Sequence, residues 1–491
     1  MKNKIRNFIP YLAFLLLLLS LIPLVWLGRY DYPTGDDYYY GAEAHLVWQQ
    51  TKSIPQAISA ACTGVATSYR IWQGTYSALF LMYLAPNAFS MTAYHLVPFA
   101  ILLLLCGGIF YLLRPLVCRF LTGTTGEWIT ISSVLSFLCV QTVVFQSDSF
   151  YWYNGSMYYT GFYAVTLFFL GTLLRYLYSG RMLLLLPLLL FAIFLGGGNY
   201  VSLLPCMLLL ATVTLLLLLQ KNKKSLICGI TTIVLLSAFA VSAMAPGNHV
   251  RQDGMWKLPA WKAIAKSLLQ GIRYTFAWTG LWWFLAAILL LPVFLHILRR
   301  KKDSLSKYFS HPVLFTGYFY GLFCSMSCPL FYTMNSTGPG RAVAIVYYSF
   351  LLISFAVFFY WIGFILWKSQ KPGAEPKQLI INKDNCLTIS YHIVIGILML
   401  SILFTGLLQE TSAAKAIRVL ADGEAAAYAA EYEERLLLLN DPDVTDVVLT
   451  PFVHQPALIY TGDLPGDSED PTSQKTALYF GKNSVCVDYS K

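Results

Sequence analysis

Charged side chains are scarce in this chain. They make up 12% of its 491 residues, roughly half the share found in ordinary soluble domains, while 57% of the residues are hydrophobic. The hydrophobic residues are gathered in runs of roughly 20, the length that crosses about 30 Å of hydrocarbon. A soluble fold cannot bury this much apolar surface, so the composition predicts a polytopic membrane protein.

Several kinds of functional motif are also missing. Ionisable residues are almost absent from the middle of the apolar runs, whereas proton- and ion-coupled transporters use chains of such residues within the bilayer. The glycine clusters Gly196–Gly198 and Gly338–Gly340 lack the following Lys-Ser/Thr and the preceding strand of a phosphate loop, and no dinucleotide fingerprint or zinc-protease motif occurs. Cys324 and Cys328 have no second pair of ligands, so no zinc site is predicted.

The apolar runs predict an all-α fold with about eleven transmembrane helices. The candidate spans are 8–27, 92–113, 128–146, 160–178, 182–198, 200–219, 226–245, 275–298, 312–331, 342–367 and 389–408. The first run is too long for a signal peptide and no cleavage site follows it, so we interpret it as an uncleaved span.

The distribution of basic residues predicts the orientation. The formal net charge is +10, which by itself suits a nucleic-acid-binding protein. With the N-terminus in the cytoplasm, however, every short cytoplasmic connection is basic, as at Lys221–Lys224 and Arg299–Lys302. The charge is therefore explained by topology, and we expect a multi-pass membrane protein with no nucleic-acid partner.

Three long segments then lie outside the cytoplasm. The transmembrane domain covers residues 1–408, and its first outer loop, 29–90, contains two apolar stretches too short to span, Ile54–Tyr69 and Thr75–Leu84, which we expect to form surface helices. A second outer segment covers about 246–274. The third is an extracytoplasmic C-terminal tail, 409–491, with a helix over about 411–438 and a strand at Val444–Leu449, hence a small α+β cap.

The first outer loop opens with an acidic pair, Asp36 and Asp37, followed by three tyrosines that include Tyr39. Adjacent like charges near an apolar boundary have raised pKa values, which suits a general base that activates a hydroxyl group. The alternative is a structural role, because Gly-Asp-Asp before a helix is also a common N-terminal cap. Aromatic rings beside the acids favour stacking against a sugar.

Other polar residues lie where predicted spans meet the outer surface. Candidates for holding a phosphate are Arg70, Arg251, Arg341 and His249, because Arg grips phosphate oxygens with two parallel hydrogen bonds. Candidates for contacting a sugar or acceptor are Tyr39, Trp72, Trp152, Asn154 and Asn248. The alternative for the aromatic and basic residues is anchoring in the lipid headgroup zone, which favours the same residue types.

Four motifs occur in order on the predicted outer side. They are Gly35-Asp-Asp37, Arg70-x-Trp72-x-Gly74, Tyr151-Trp-x-x-Gly155 and Ala245-Pro-Gly-Asn248-x-x-Arg251. Together with the uncleaved first span and the long first loop, this arrangement resembles a bacterial membrane family allied to the GT-C superfamily, the integral membrane glycosyltransferases that use polyprenyl-phosphate sugars. The resemblance covers the chain to about residue 410.

The resemblance implies a GT-C-like fold and transfer of a sugar from a polyprenyl-phosphate donor to a cell-envelope glycan or lipid-linked acceptor. It implies Asp36 or Asp37 as the base and Arg341 and Arg251 near the leaving phosphate. Members differ in their need for a divalent metal; here no tightly bound cofactor or metal is predicted. Two alternatives remain open: a transporter or flippase of lipid-linked saccharides, and a non-enzymatic envelope-assembly protein.

Overall fold

The computed structural model of the protein describes residues 2–370 and 385–490. It is an all-α polytopic membrane protein, because eight of the described helices are long and apolar enough to cross a membrane. These are Phe8–Tyr30, Met91–Phe120, Tyr153–Ser179, Tyr200–Leu219, Ser225–Ala243, Leu281–Arg300, Pro312–Met334 and Gly340–Lys368. Lys371, Lys377 and Lys383, in the basic connection predicted between the spans 342–367 and 389–408, lie outside the described residues.

The α-helices are numbered in chain order. The first twelve are α1 (Lys2–Leu27), α2 (Asp36–Thr51), α3 (Ile54–Ile71), α4 (Tyr76–Tyr83), α5 (Met91–Tyr94), α6 (Val97–Pro115), α7 (Thr125–Gln141), α8 (Tyr153–Ser156), α9 (Phe162–Ser179), α10 (Leu185–Gly196), α11 (Tyr200–Leu219) and α12 (Ser225–Ala243). The others are α13 (Pro246–Gln252), α14 (Ala260–Trp278), α15 (Leu281–Arg300), α16 (Leu305–Phe309), α17 (Pro312–Ser325), α18 (Cys328–Met334), α19 (Gly340–Lys368), α20 (Asn385–Phe404), α21 (Ser412–Ala421), α22 (Glu424–Asn440) and α23 (Pro471–Phe480).

The three remaining predicted spans coincide with shorter helices. The segment 128–146 corresponds to α7, 182–198 to the apolar helix Met182–Gly196, and 389–408 to the apolar end of α20, Ile393–Phe404.

Two predicted boundaries were wrong. The span predicted at 275–298 begins only at Leu281, because Thr279 and Gly280 separate it from the amphipathic α14. The segment Asp148–Tyr159, which lies between the predicted spans 128–146 and 160–178, is largely helical: π-helical turns at Ser147–Tyr151 and Met157–Gly161 flank α8 and lead into α9. Its aromatic residues pack as a helix surface, which the sequence pattern did not reveal.

The first outer loop forms the two predicted helices, but α4 is not a surface helix, because none of its residues is exposed. The two apolar stretches form α3 and α4, and the acidic pair begins α2. One face of α3 is exposed along most of its length. Pro55 in its first turn suits a helix start. Along the chain, these helices lie between the first two long apolar helices. The acidic pair lies where α5 and α8 meet.

The C-terminal tail is a small α+β unit, as predicted, although Gly423 divides the expected single helix into α21 and α22. The strands β1 (Asp446–Leu449) and β2 (Ser484–Val487) form a parallel pair connected through α23. A buried apolar cluster that includes Val447, Leu464 and Val485 lies beneath this pair.

The tail packs directly on the first outer loop. The Tyr432 ring stacks on Tyr32 with centroids 4.2 Å apart, and its hydroxyl donates to the Pro33 carbonyl oxygen over 2.7 Å. The Tyr479 ring stacks on His45 at 3.8 Å, and its hydroxyl donates to the Asn87 carbonyl. The tail thus fixes the loop segment that precedes the acidic pair.

Candidate active site

The two acids of the pair face different surroundings. Gly35 is the residue before α2, and its φ of +26° is strained for any side chain, so glycine suits this entry to the helix. Asp36 is exposed to solvent, whereas Asp37 is fully buried at 0% exposure. A single residue step along the helix therefore separates an accessible carboxylate from an inaccessible one.

Asp37 is held by three hydrogen-bond donors. Its carboxylate accepts the Tyr94 hydroxyl at 2.7 Å, the Thr34 backbone N–H at 3.1 Å and the Asn154 backbone N–H at 3.2 Å. Burial raises the pKa of Asp37 to about 7, even though all three donors favour the ionised form. The carboxylate connects the start of α2 to α5 and to α8. Asp37 therefore fixes the position of the helix start that carries Asp36.

Asp36 lies near two guanidinium groups. Surrounding protein raises the pKa of its carboxyl group by desolvation, and the positive charges of Arg341 and Arg251 oppose that rise. The predicted base and the two predicted phosphate-binding arginines are thus close enough to interact, although they come from α2, α19 and α13. The structure brings these three residues together.

Arg341 is fixed at the first turn of α19. It forms an ion pair with Asp148 at 3.5 Å, and its guanidinium lies over the Trp152 ring at 4.7 Å and near the Tyr159 ring at 5.7 Å. A cation held over aromatic faces loses little further freedom when it binds an anion. About a quarter of each charged side chain of this ion pair remains accessible, so an incoming phosphate can reach the guanidinium.

Arg251 is held in a similar way on the other side of the cluster. Its guanidinium lies over the Trp72 ring at 4.9 Å and donates to the Gln73 side-chain oxygen. Arg251 and Trp72 are both exposed. Each arginine of the site therefore rests on a tryptophan from a different outer segment.

The two outer segments that carry Trp72 and Arg251 are joined by backbone contacts. A side chain at Gly74 would place its Cβ 1.9 Å from the Ser242 carbonyl oxygen, so only glycine fits. Asn248 accepts the Gly74 backbone N–H at 2.9 Å and donates to the carbonyls of Ser242 and Ala243. The Asn248 amide, proposed from sequence to contact a sugar, is thus used to hold the two segments together.

The other predicted ligand-binding residues occupy varied positions. Asn154 is 3% exposed, and neither its amide oxygen nor its amide nitrogen has a hydrogen-bond partner among the described residues; the same is true of the buried Trp152 Nε1. Tyr39 is half-buried with its ring edge against Tyr40. Arg70 and His249 are exposed, and no hydrogen bond joins them to Asp36, Arg251 or Arg341 in the described chain.

Sequence reasoning missed some residues of this region. Tyr94 connects two parts of the site, since it donates to Asp37 and accepts the Tyr153 backbone N–H at 3.0 Å. Asp31 is 1% exposed, and burial followed by the nearby Asp37 raises its pKa well above the usual range. Asp31 precedes the acidic pair by only five residues, but a single acid after a span carries no recognisable signal.

No group of three His, Cys, Asp or Glu side chains in the described residues is arranged to hold a metal ion. Asp37 faces hydrogen-bond donors, and Asp148 is paired with Arg341. What the cluster offers chemically is an accessible carboxylate beside two cations with aromatic rings around them.

No protein-family model matches this chain, and no curated protein and no solved structure is significantly similar to it. The function is therefore inferred from the geometry of the site. The juxtaposition of Asp36 with Arg251 and Arg341 is the observation on which that inference depends.

Proposed function

We propose that the protein is a membrane glycosyltransferase of the GT-C type, which moves a sugar from a polyprenyl-phosphate donor to a glycan or lipid-linked acceptor. The observation that supports this proposal is the accessible carboxylate of Asp36 beside the guanidinium groups of Arg251 and Arg341. Transfer from a lipid phosphate needs a base for the acceptor and cations for the leaving group, and both are present at one place.

In this mechanism Asp36 is the catalytic base. It accepts the proton of the acceptor hydroxyl as the oxygen attacks C1 of the sugar, and the bond between C1 and the phosphate oxygen breaks on the opposite side. The polyprenyl phosphate leaves with the electron pair of that bond. Arg341 and Arg251 stabilise the charge that develops on it, in a site where both guanidiniums are already oriented.

Asp37 supports this chemistry without contacting the reactants. Its carboxylate has no accessible surface and accepts hydrogen bonds from Tyr94, Thr34 and Asn154. It joins the helix start that presents Asp36 to α8, which directly follows Trp152, the ring under Arg341. We assign the base to Asp36 and a positioning role to Asp37, a distinction that the sequence left open.

The proposal includes the topology. Eleven spans, a cytoplasmic N-terminus and an extracytoplasmic tail in a bacterial plasma membrane place the site on the side where polyprenyl-phosphate sugars are used. The three shorter helices, Thr125–Gln141, Met182–Gly196 and Ile393–Phe404, complete the number. Labelling of single cysteines with a membrane-impermeant maleimide tests the orientation: Asp467→Cys should react in intact cells and Lys223→Cys only after permeabilisation.

The decisive experiment measures sugar transfer in membranes from cells that express the wild type or Asp36→Asn, with a panel of radiolabelled polyprenyl-phosphate sugars. Loss of a general base lowers the rate by about 10²–10⁴-fold. Asp253→Asn is the matched control, since it removes an exposed acid from a neighbouring outer segment. The amount of folded protein in each membrane is quantified by size-exclusion chromatography.

Transfer by the wild type and the control, with none by Asp36→Asn at equal folded protein, supports both the activity and the base. Full activity of Asp36→Asn removes Asp36 from the mechanism. A wild type that transfers no sugar from any donor, to endogenous or added acceptors, contradicts the glycosyltransferase proposal and favours the flippase or assembly alternatives.

A further inference from the structure

A second concentration of arginines lies at the far end of two helices that begin at the candidate active site. The apolar helix Tyr153–Ser179 starts beside Asp37 and reaches Arg175 after about 33 Å, at 1.5 Å per residue. The apolar segment Met91–Phe120 has Tyr94, which contacts Asp37, near its start and ends beyond Arg114. The ends of these two helices are therefore about one bilayer thickness from the site.

A cavity of about 500 Å³ opens between these helix ends. Four arginines line it: Arg114, Arg119, Arg175 and Arg181. The remaining lining includes Thr125, which has a hydroxyl group, Ser179, whose hydroxyl donates to the Arg175 carbonyl oxygen, and the apolar residues Pro115 and Leu184. The volume is that of a small-ligand site, and its polar groups are almost all cations or hydrogen-bond donors.

Three of these guanidiniums are held in place before any ligand arrives. Arg175 donates to the carbonyl oxygens of Tyr111 at 3.0 Å and Gly171 at 2.8 Å, and it lies over the Tyr111 ring at 3.5 Å. Arg119 lies over the Tyr178 ring at 5.5 Å, and Arg114 lies over the Trp128 ring at 5.3 Å. Freely moving basic side chains at a lipid surface do not need such supports, whereas a binding site benefits from them.

The positive charge of the cavity is not balanced by acids of the protein. No Asp or Glu lines the cavity, and none of the four arginines forms an ion pair with a carboxylate within the described chain. The acid of the adjacent helix, Glu127, is paired with His296 at 2.5 Å and with Arg300. Four cations without a counter-charge stabilise an anion brought from outside.

We propose that this arginine-lined cavity is a second ligand site, separate from the candidate active site, which binds a phosphate-bearing anion. Arginine pairs with phosphate oxygens through two parallel hydrogen bonds, and the Thr125 hydroxyl can donate to a further oxygen. The phosphate belongs either to the headgroup of an anionic phospholipid or to a soluble diphosphate compound. The site is independent of the proposed sugar transfer.

The test uses the full chain, as wild type and as the double variant Arg119→Gln/Arg181→Gln, which removes two exposed arginines of the cavity. The control is Lys223→Gln/Lys307→Gln, which removes the same charge from two exposed lysines that do not line the cavity. Two probes separate the sources. Native mass spectrometry of detergent-purified protein counts added cardiolipin molecules, and thermal-shift titration measures binding of inorganic pyrophosphate.

Each arginine removed should weaken binding about tenfold, so the double variant should lose about 100-fold while the lysine control is unchanged. Arginine-dependent retention of cardiolipin identifies a lipid headgroup site, and arginine-dependent binding of pyrophosphate identifies a soluble ligand. If neither probe binds, or if the arginine variant and the lysine control weaken binding equally, the site does not exist and the arginines serve only topology.

Discussion

The arginines at the two ends of the long helices differ in the acidic residues around them. At the candidate active site, Arg341 and Arg251 lie over tryptophans and have carboxylates nearby, with Asp148 paired to Arg341 and Asp36 within reach of both. At the opposite end, three of the four cavity arginines also rest on aromatic rings or carbonyls, but no acid lies in the described lining. Balanced charge suits a proposed reaction that takes up a proton and releases a lipid phosphate, whereas unbalanced positive charge suits an anion that remains bound.

The largest expected effect tests whether the site-end arginines are catalytic. Arg341→Ala should lower sugar transfer by about 10²–10³-fold, the usual loss when one preorganised donor to a developing anion is removed. Arg341→Lys should recover only part of the rate, because an ammonium group cannot form two parallel hydrogen bonds. The measurement is the single-turnover transfer rate in purified, reconstituted protein.

The matched variant for this comparison is Arg119→Ala at the other end. It also removes one arginine from over an aromatic ring, yet it lies about a bilayer thickness from the reaction. Its transfer rate should match the wild type. Equal losses for Arg341→Ala and Arg119→Ala would mean that the two ends do not differ in role.

Asp37→Asn should reduce stability more than activity. An Asn side chain has only one oxygen, so its NH₂ group would face one of the donors that now bind Asp37, at a cost of about 1–3 kcal/mol. Transfer should fall far less than in Asp36→Asn once the amount of folded protein is equalised. A rate loss as large as that of Asp36→Asn would assign the base to Asp37 instead.

The same variant has a pH signature. Since burial raises the pKa of Asp37 to about 7 from about 3.9 in the unfolded chain, its contribution is fully present below about pH 4 and is lost as the pH rises through about 7. The melting temperature of the wild type should therefore contain a component that falls between about pH 4 and pH 7. Asp37→Asn should lack that component, and an unchanged pH dependence would contradict the pKa shift.

Local patterns predicted much of the fold. The spans follow from runs of apolar residues, and α3, α4 and the strand at Asp446–Leu449 follow from short patterns bounded by breakers. The helical form of Met157–Gly161 was missed, because an aromatic-rich stretch at a membrane boundary is typical of both a loop and a helix. The break at Thr279–Gly280 was missed because both sides of it are helical.

The candidate site was predictable in its members but not in their division of labour. Helix breakers followed by Arg251 and Arg341 indicated residues on the outer surface, and the structure brings both near Asp36. That Asp37 is buried depends on Tyr94 and on the Asn154 backbone, which lie 57 and 117 positions away. Sequence reasoning from neighbours along the chain contains no information about contacts of this range.

Gly74, near the candidate active site, and Gly180, near the arginine-lined cavity, are required for different reasons. Substitutions can distinguish a steric requirement from a conformational one. Gly74→Ala places a methyl group against the Ser242 carbonyl oxygen and should cost about 1–3 kcal/mol of stability. Gly180 follows α9 with a φ of +68°, and a Cβ there would meet only the Lys224 side chain at an ordinary contact distance of 3.6 Å, so Gly180→Asn should cost less than about 1 kcal/mol. Thermal unfolding of both variants, with Gly74→Asn as a further control, checks the order; a tolerated Gly74→Asn would contradict the steric explanation.

The smallest effect concerns the pH dependence of transfer, which tests whether the charge of Arg341 acts on Asp36. A base must be ionised to accept a proton, so the rate should rise with pH through the pKa of Asp36, which desolvation places above the usual aspartate range. Arg341 lowers that pKa, so Arg341→Ala should move the rising limb to higher pH. Arg119→Ala, at the end without acids, should leave it in place. If the limb moves equally in both variants, or in neither, the base is not Asp36 beside Arg341, because only a carboxylate close to the removed cation changes its pKa when that cation is lost.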